Sequence, residues 1–350
     1  MPTFLLREIE PADLPGLLAV AAHLNTVNLP NDGVVLEELI ALSRRSFAGQ
    51  IDVFKRQYLF GLFRRDAGEE VLIGTSMIHA QHGTRRAPHI FFDVLTDERY
   101  SESLDRHFIH KVLRIGSNYN GPTEIGGLVL MPEYRHHEAG LGRQLSYARF
   151  LYLALHRGSF RDEVISELLP PLEADGTSLL WEALGRHFTG MSYQEADRIS
   201  QTNKEFIRTL FPSEPLYVCL LPEAVQALVG QVGPATRGVE RMLRRIGFDY
   251  AERIDPFDGG PHFIARTDDI SLVKATRRAQ VKVRTDDGGA APSAATPPQV
   301  GLIAVERDHA PHFTATLGRF TLEGGEVRLG GEVRAALSVE ADDEVGLLAF

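Results

Sequence analysis

The 350-residue chain has a single cysteine and a single tryptophan, and it has no long apolar run. One thiol, Cys219, permits no internal disulfide, and no Cys/His spacing matches a structural zinc motif, so a reducing compartment fits. No stretch approaches the roughly 18 uninterrupted apolar residues of a membrane span. The N-terminus, MPTFLLREIEPADLP, lacks the basic and apolar regions of a secretory signal. An excess of positive charge is also missing. The formal net charge is −10 and the pI is near 5.7, which argues against sequence-independent nucleic-acid binding. These absences predict a soluble cytoplasmic protein with no nucleic-acid or membrane partner and no metal.

What is present is ordinary for a globular protein: 43% of residues are apolar and 24% charged. At about 100–200 residues per domain, the length fits two domains or one large one with an appendage. Residues 4–9 form a strand-like run, and Pro11 and Asp13 open a helix that continues to residue 24. Apolar residues recur at helical spacing over 34–47. Extended runs at 57–63 and 71–79 flank an Asp/Gly-containing turn and predict a β-hairpin. Further along, 90–95 predicts a strand, 103–113 a short helix, and 124–130 a buried strand closed by Met131-Pro132. Residues 144–156 are rich in Leu, Ala, Tyr and Phe without a breaker, which predicts a helix. A strand at 163–169 stops at Pro170-Pro171, and 177–211 reads as largely helical. A helix at 238–246 then leads into strands at 249–254 and 262–265.

Between Arg284 and Gln299 the apolar residues give way to Ala, Pro, Gly and Ser, the composition of a linker. The chain thus divides into a main body over 1–283, with a helical insertion at about 170–235, a linker over 284–299, and a small β-rich module over 300–350. From Arg284 onward there are 11 acidic and 5 basic residues, against 36 and 32 before it. Negative charge is therefore concentrated in the tail, and a body so close to balance can hold an anionic ligand.

The arrangement that carries chemistry is strand, glycine-rich turn and helix over residues 124–156. Gly140 and Gly142 let backbone N–H groups approach a ligand closely, and the first helical turn leaves its donors unpaired at the positive end of the dipole. Such a turn can cradle a phosphate. Arg135 and Arg143 flank it and offer charge-assisted contacts. Two glycines at a helix entrance are, by themselves, more often a plain tight turn.

The order of elements around this turn resembles the GNAT acyltransferase superfamily, whose pyrophosphate-binding turn reads Arg/Gln-x-x-Gly-x-Gly/Ala. Here the turn is His137-Glu138-Ala139-Gly140-Leu141-Gly142, with histidine in first place. A closer resemblance, to the arginine N-succinyltransferase family, rests on ordered blocks over roughly residues 1–275. Among them are Leu128-Val129-Leu130, Tyr134-Arg135, the run from Trp181 to Phe188, Ala196-Asp197, Pro215-Leu216-Tyr217, Gly230-Gln231-Val232 and Phe257-Asp258-Gly259-Gly260-Pro261.

The resemblance implies an α/β (α+β) fold, a GNAT-like mixed sheet flanked by helices with the small β-rich appendage at its C-terminus. It implies transfer of succinyl from succinyl-CoA to the α-amino group of L-arginine, or ornithine, in amino-acid catabolism. The amine would attack the thioester directly, with succinyl-CoA as donor substrate and no metal. A homo-oligomer or a heteromer with a paralogous subunit is implied as the assembly. The family's succinyl-CoA contact falls on Leu128, so Leu128, Val129 and Leu130 are expected to form the acyl-CoA backbone ladder. Arg135, His137, Ala139, Gly140, Leu141, Gly142 and Arg143 are expected around the pyrophosphate.

Where that family carries a proton-donating histidine after Gly-Gln-Val, this chain has Gly233. Three readings stay open: another group protonates the thiolate, the role does not transfer, or the chain is a catalytically weakened CoA-binding or regulatory subunit. His187, beside Phe188, is a candidate acid or base because imidazole titrates near neutrality. A surface histidine, or one paired with a carboxylate, is an equal alternative. Glu124 is a candidate general base, against the alternative of a solvated strand-edge carboxylate. Asp255 and Asp258 either bind a guanidinium or fix their turn through local hydrogen bonds. Cys219, inside an apolar run, reads as a buried small residue.

Overall fold

The computed structural model describes residues 3–23, 29–66, 68–85, 87–173, 175–200, 203–282 and 297–350. Its strands, in chain order, are β1 (Thr3–Glu8), β2 (Gln57–Asp66), β3 (Glu69–His79), β4 (His89–Ser101), β5 (Arg106–Asn118), β6 (Thr123–Leu130), β7 (Glu163–Glu167), β8 (Leu216–Tyr217), β9 (Asp249–Ile254), β10 (Pro261–Arg266), β11 (Arg277–Val281), β12 (Gln299–Glu306), β13 (Phe313–Glu323), β14 (Glu326–Leu329) and β15 (Glu344–Ala349). The helices are α1 (Leu14–Ala21), α2 (Gly33–Phe47), α3 (Leu141–Leu155), α4 (Arg186–Thr189), α5 (Tyr193–Ser200), α6 (Glu205–Leu210), α7 (Glu223–Leu228), α8 (Arg237–Ile246), α9 (Ser271–Ala275) and α10 (Gly331–Leu337). Among the described residues no helix is long and apolar enough to cross a membrane. The mixed α/β class expected from the sequence is the one found.

The described residues fall into two compact units. The first takes in residues up to Ala80, Ile125–Phe160 and Ser271–Phe350. Its strands β2 and β3 form the hairpin that the sequence predicts, with Gln57 opposite His79, and β1 adds to it antiparallel, with Thr3 opposite Arg65. Against this sheet pack α1 and α2, which bury Leu17, Val20, Leu36 and Ile40 with Leu59 and Phe63. Asp32 starts α2 by accepting from the Val34 and Val35 N–H groups at 2.9 and 3.2 Å, which occupies two otherwise unpaired donors. Helix α3 is buried almost all round from Gln144 to Leu153, mostly through apolar residues, and it takes Arg149 inside as well, where the guanidinium donates to the Ser146 hydroxyl at 2.7 Å.

Strands β11 to β15 close on themselves. β12 pairs with β13 and β15, β15 with β11, β11 in parallel with β14, and β14 with β13, so each has two neighbours and no edge is left open. Val281, Ile303, Val305, Phe320, Val327 and Leu347 fill this small barrel. The boundary expected at 283/284 and most of the expected linker lie outside the described residues. The strands on either side of that segment, β11 and β12, belong to the one barrel.

The second unit takes in Gln81–Glu124 and Arg161–Ile270. Its strands run in the order β6, β7, β10, β9, β4, β5, β8, with β6 and β7 parallel at Thr123–Val164 and Glu124–Ile165. The helix expected over 103–113 is instead strand β5, paired with β4 from Ser101–Arg106 to His89–Asn118. Ile109, Val112 and Ile115 are β-branched, and a thirteen-pair ladder supplies hydrogen bonds that outweigh a weak helical pattern. Cys219 is exposed rather than buried, because the short turn Val218–Leu220 turns only Val218 inward.

The core of this unit is built on Trp181, which is 0% exposed and stacks on Phe257 at 5.0 Å and 6°. Its indole N–H donates to the Met191 carbonyl at 3.0 Å. Replacing it leaves a large cavity and an unsatisfied carbonyl, so Trp181→Ala is expected to cost about 3–5 kcal/mol in urea unfolding. A loss under about 1 kcal/mol would show that the core does not rest on this stack.

Candidate active site

Several segments of the second unit bring ionisable side chains to one place. The loop after β3 carries His82, whose N–H donates to Pro122 O at 2.8 Å and whose carbonyl accepts from Gly121 N–H at 2.9 Å. His89 opens β4, Glu124 is the second residue of β6, Glu167 closes β7 and His262 is the second residue of β10. The antiparallel register of β7 and β10 sets His262 directly opposite Glu167. Polar groups at strand ends thus converge where the apolar strand centres can stay dry.

Glu167 Oε1 lies 3.2 Å from His89 Nε2, 3.5 Å from His262 Nε2 and 4.0 Å from His82 Nε2. His82 Nδ1 pairs with the Glu124 carboxylate. The His82 and His89 rings meet edge to face at 4.3 Å, and the His89 and His262 rings stack at 5.4 Å. His89 and His262 are 1% and 0% exposed, and neither ring nitrogen of either has a hydrogen-bond partner.

Charge is unevenly shared in this cluster. Burial opposes a proton on His82, but Glu124 and Glu167 outweigh it and raise its pKa. Burial, together with the charge on His82, lowers the pKa of His89. Burial also pushes His262 down to about 4, against the pull of Glu167. Burial alone would raise Glu167, yet His262, His89 and His82 together hold it well below the ordinary carboxylate range.

In the β9–β10 turn, burial and then Glu167 push Asp255 up to about 7, and burial and then Asp255 push Asp258 well above its usual value. Asp197 on α5 is pushed by burial up to about 6, with Lys204 partly opposing. The turn itself is fixed by Asp255 Oδ1, which accepts from the Phe257 and Asp258 N–H groups at 2.7 and 3.2 Å. Asp258 Oδ1 accepts from Gly260 N–H at 2.7 Å. Both aspartates therefore realise the turn-fixing alternative with one oxygen and leave Oδ2 outside these bonds. Asp258 is buried and Asp197 and Asp255 are partly so, with Lys204 opposing the shifts of the latter two.

The other expected residues are placed elsewhere. Residues Leu128 to Arg143 lie in the first unit, along the end of β6 and around the start of α3. Gly140 caps α3 in the left-handed region at φ +63°, where a side chain would be strained. His137 shapes the turn: its Nδ1 accepts from Ala139 N–H at 3.2 Å, and its ring meets Phe4 at 5.0 Å. Arg135 donates from Nε to the Leu130 carbonyl at 3.0 Å, and the Arg143 guanidinium lies over the Phe350 ring at 4.8 Å. The Val129, Leu130 and Leu141 side chains are buried, so these residues can meet a ligand only through their backbones.

Glu124 is buried and engaged with His82, not a solvated edge carboxylate. His187 is exposed on α4, and the structure does not bring it into the histidine–carboxylate cluster. Sequence reasoning missed His82, His89, His262 and Glu167. The available signal was a polar residue at the edge of an apolar strand, as in His89-Ile90-Phe91-Phe92 and Pro261-His262-Phe263-Ile264.

Gly233 has a packing reason. A Cβ there would stand 2.5 Å from Pro170 O and 2.9 Å from Leu169 O, both backbone atoms, while Gly233 N–H donates to Leu169 O at 2.8 Å. No histidine can be seated at this position without moving the backbone after β7.

Comparison with known proteins gives one consistent answer. A family model described as arginine N-succinyltransferase beta subunit matches residues 4–272. The chain is 32% identical over 348 residues to the arginine N-succinyltransferase of Yersinia pestis (strain Pestoides F), covering 99% of this chain and 97% of that one. It is 33% identical over 292 residues to the arginine N-succinyltransferase subunit beta of Pseudomonas aeruginosa, covering 82% and 84%. The solved structure of arginine/ornithine succinyltransferase subunit AI from Pseudomonas aeruginosa matches with a TM-score of 0.82 at 28% identity, over 100% of this chain and 99% of that one.

The buried acids make a pH prediction. Because Asp197 binds its proton more tightly folded than unfolded, the stability it contributes is present at low pH and is lost as pH rises from about 4 to about 6. Asp197→Asn removes that loss. Thermal unfolding should show the variant gaining about 1–2 kcal/mol over the native chain between about pH 4.5 and 7.5, after discounting for partial exposure. A native-to-variant difference that does not change with pH would mean that Asp197 ionises as in water.

Proposed function

The chain belongs to the arginine N-succinyltransferase family, and from that premise we propose that it moves succinyl from succinyl-CoA to the α-amino group of L-arginine or ornithine, in amino-acid catabolism in the cytoplasm. The observation that carries this reading is the match of the whole chain to relatives of that activity, joined to an anion-cradling turn at Gly140–Gly142. The amine nitrogen forms the amide bond to the succinyl carbonyl carbon, the carbon–sulfur bond breaks, and CoA leaves as the thiol while one proton goes to solvent overall. Backbone groups of Leu128, Val129 and Leu130 would align the acyl-CoA arm, and a backbone N–H there would hold the thioester oxygen as negative charge builds on it.

The diphosphate is assigned to the first turn of α3. Gly142 offers its N–H without a covering side chain, and a Cβ at that position would meet only Leu130 Cδ2, at 3.9 Å. Arg135 and Arg143, both exposed, add positive charge beside the turn. The acceptor is assigned to the acidic set of Asp197, Asp255 and Asp258. Buried carboxylates with too few cations gain most from a ligand that brings its own positive charge, which suits a basic amino acid. No step is assigned to His187, given its exposed place on α4.

Glycine at 233 answers to the Leu169–Pro170 backbone, so its presence has a packing cause, and the match to relatives named as arginine N-succinyltransferases favours the acyl-transfer reading over a weakened subunit. The names of the Pseudomonas relatives speak of subunits, which supports an oligomer of like or paralogous chains.

Purified protein given succinyl-CoA and L-arginine should release free thiol and form succinylarginine, and silence with every basic amino acid would overturn the reading. Gly142→Asp adds a negative charge where the diphosphate would sit, and its Cβ has only an ordinary contact with Leu130 Cδ2 at 3.9 Å. CoA affinity by calorimetry should fall at least ~100-fold in this variant, with an unchanged melting temperature. Native affinity in the variant would move the diphosphate elsewhere.

A further inference from the structure

Two fully buried histidines without hydrogen bonds need a physical explanation. His89 Nε2 stands only 3.2 Å from Glu167 Oε1, yet the pair does not have the direction of a hydrogen bond, and both nitrogens of His89 remain unpartnered. Potential ligand atoms are thus gathered close together without satisfying one another. His82, His89 and Glu167 each offer such an atom, all within 4.8 Å of one another.

The spacing fits an ion. Zinc-type ions bind imidazole nitrogen and carboxylate oxygen at about 2.0–2.1 Å, so donors at two corners of a tetrahedron lie ~3.3 Å apart. The His89 and His82 Nε2 atoms lie 3.2 and 4.0 Å from Glu167 Oε1, close to that edge without any rearrangement of the backbone. Glu124 provides what a ligating histidine ordinarily has: a carboxylate on the other ring nitrogen, which fixes the His82 ring and leaves Nε2 to face Glu167. The site is reachable, with the His82 and Glu167 side chains 17% and 26% exposed while His89 is sealed.

We propose that His82, His89 and Glu167 bind one divalent transition ion of the zinc type, oriented through Glu124. Two imidazoles and a carboxylate suit such borderline ions better than magnesium or calcium, which favour all-oxygen sites. Three protein ligands leave a coordination position for water or a small molecule. The ion adds positive charge beside Asp255 and Asp258, whose carboxylates are otherwise raised by burial. Sequence spacing gives no hint of this site because its ligands stand at 82, 89 and 167, on separate elements. The acyl-transfer reading does not depend on it.

The test uses the full chain, purified without a metal-affinity tag. Elemental analysis should find about one equivalent of a zinc-type ion, and cobalt(II) added to the metal-stripped protein should give the visible bands of a low-symmetry nitrogen–oxygen site. His89→Ala and Glu167→Gln should each lose the ion and the bands, while His107→Ala, on the exposed face of β5, should keep both. If His89→Ala fails to fold by circular dichroism, His82→Asn, at the more open ligand, replaces it. Less than about a tenth of an equivalent together with no cobalt bands in the native chain overturns the proposal. So does native stoichiometry in folded ligand variants.

Discussion

A single carboxylate oxygen, Glu167 Oε1, is approached by ring nitrogens of three histidines, and the surrounding part of the second unit depends on how that oxygen is satisfied. Protons alone do it poorly. His82 can carry a charge because Glu124 and Glu167 bracket it, but that charge then disfavours a second one on His89, and burial disfavours a third on His262. Beyond them, Asp255, Asp258 and Asp197 hold further acid whose pKa values burial raises, and Lys204 opposes the shifts of Asp255 and Asp197. Added positive charge beside such acids would favour their ionised form. Both assignments made above, a basic amino acid at the aspartates and an ion at the histidines, bring positive charge to acids of this one region at different atoms.

The fold was legible where its signals are local. The β2–β3 hairpin, the breaker-free helix α3 and the run from α8 through β9 into β10 all announce themselves within about twenty residues through turn residues, periodicity or the absence of breakers. Two features were not legible. Residues 103–113 have apolar spacing compatible with either a helix or a strand, and what decides is the thirteen-pair ladder with β4, a partner the segment itself does not reveal. Barrel closure was hidden for a related reason: β11 precedes the Pro/Ala-rich segment and its neighbours β14 and β15 follow it. A composition shift suggests a boundary in the chain, but strand pairing is free to cross it.

The site divides along the same line. The Gly140 turn was visible because its glycines and the helix after them are contiguous in the chain, and Gly140 does cap α3 in the left-handed region. Asp255 and Asp258 were visible through their turn chemistry. The histidines were not, because each is a lone polar residue at the end of an apolar strand, and a lone histidine carries little information. Only the pairing of β7 with β10, and the loop anchored at Gly121 and Pro122, turn those residues into neighbours. His187 was singled out for the opposite reason. It sits in a strongly family-like block, but that block is distinguished mainly by Trp181, whose burial and stacking on Phe257 explain why the sequence there is so particular.

Gly233 shows why a role should be carried over by surroundings rather than by alignment alone. The missing imidazole looked like a loss of chemistry as long as the position was considered by itself. In the fold, the Leu169 and Pro170 carbonyls approach Gly233 so closely that any side chain would displace them, and Leu169 O is further used by Gly233 N–H and by the Thr236 hydroxyl at 2.9 Å. Those bonds tie the segment before α8 to the segment that leaves β7 immediately after Glu167. A larger residue at 233 would therefore disturb the anchoring of the very strand whose last side chain organises the cluster. Glycine at 233 and the position of Glu167 are parts of one packing solution, and the chemistry of this chain has to be sought among the groups that solution brings together.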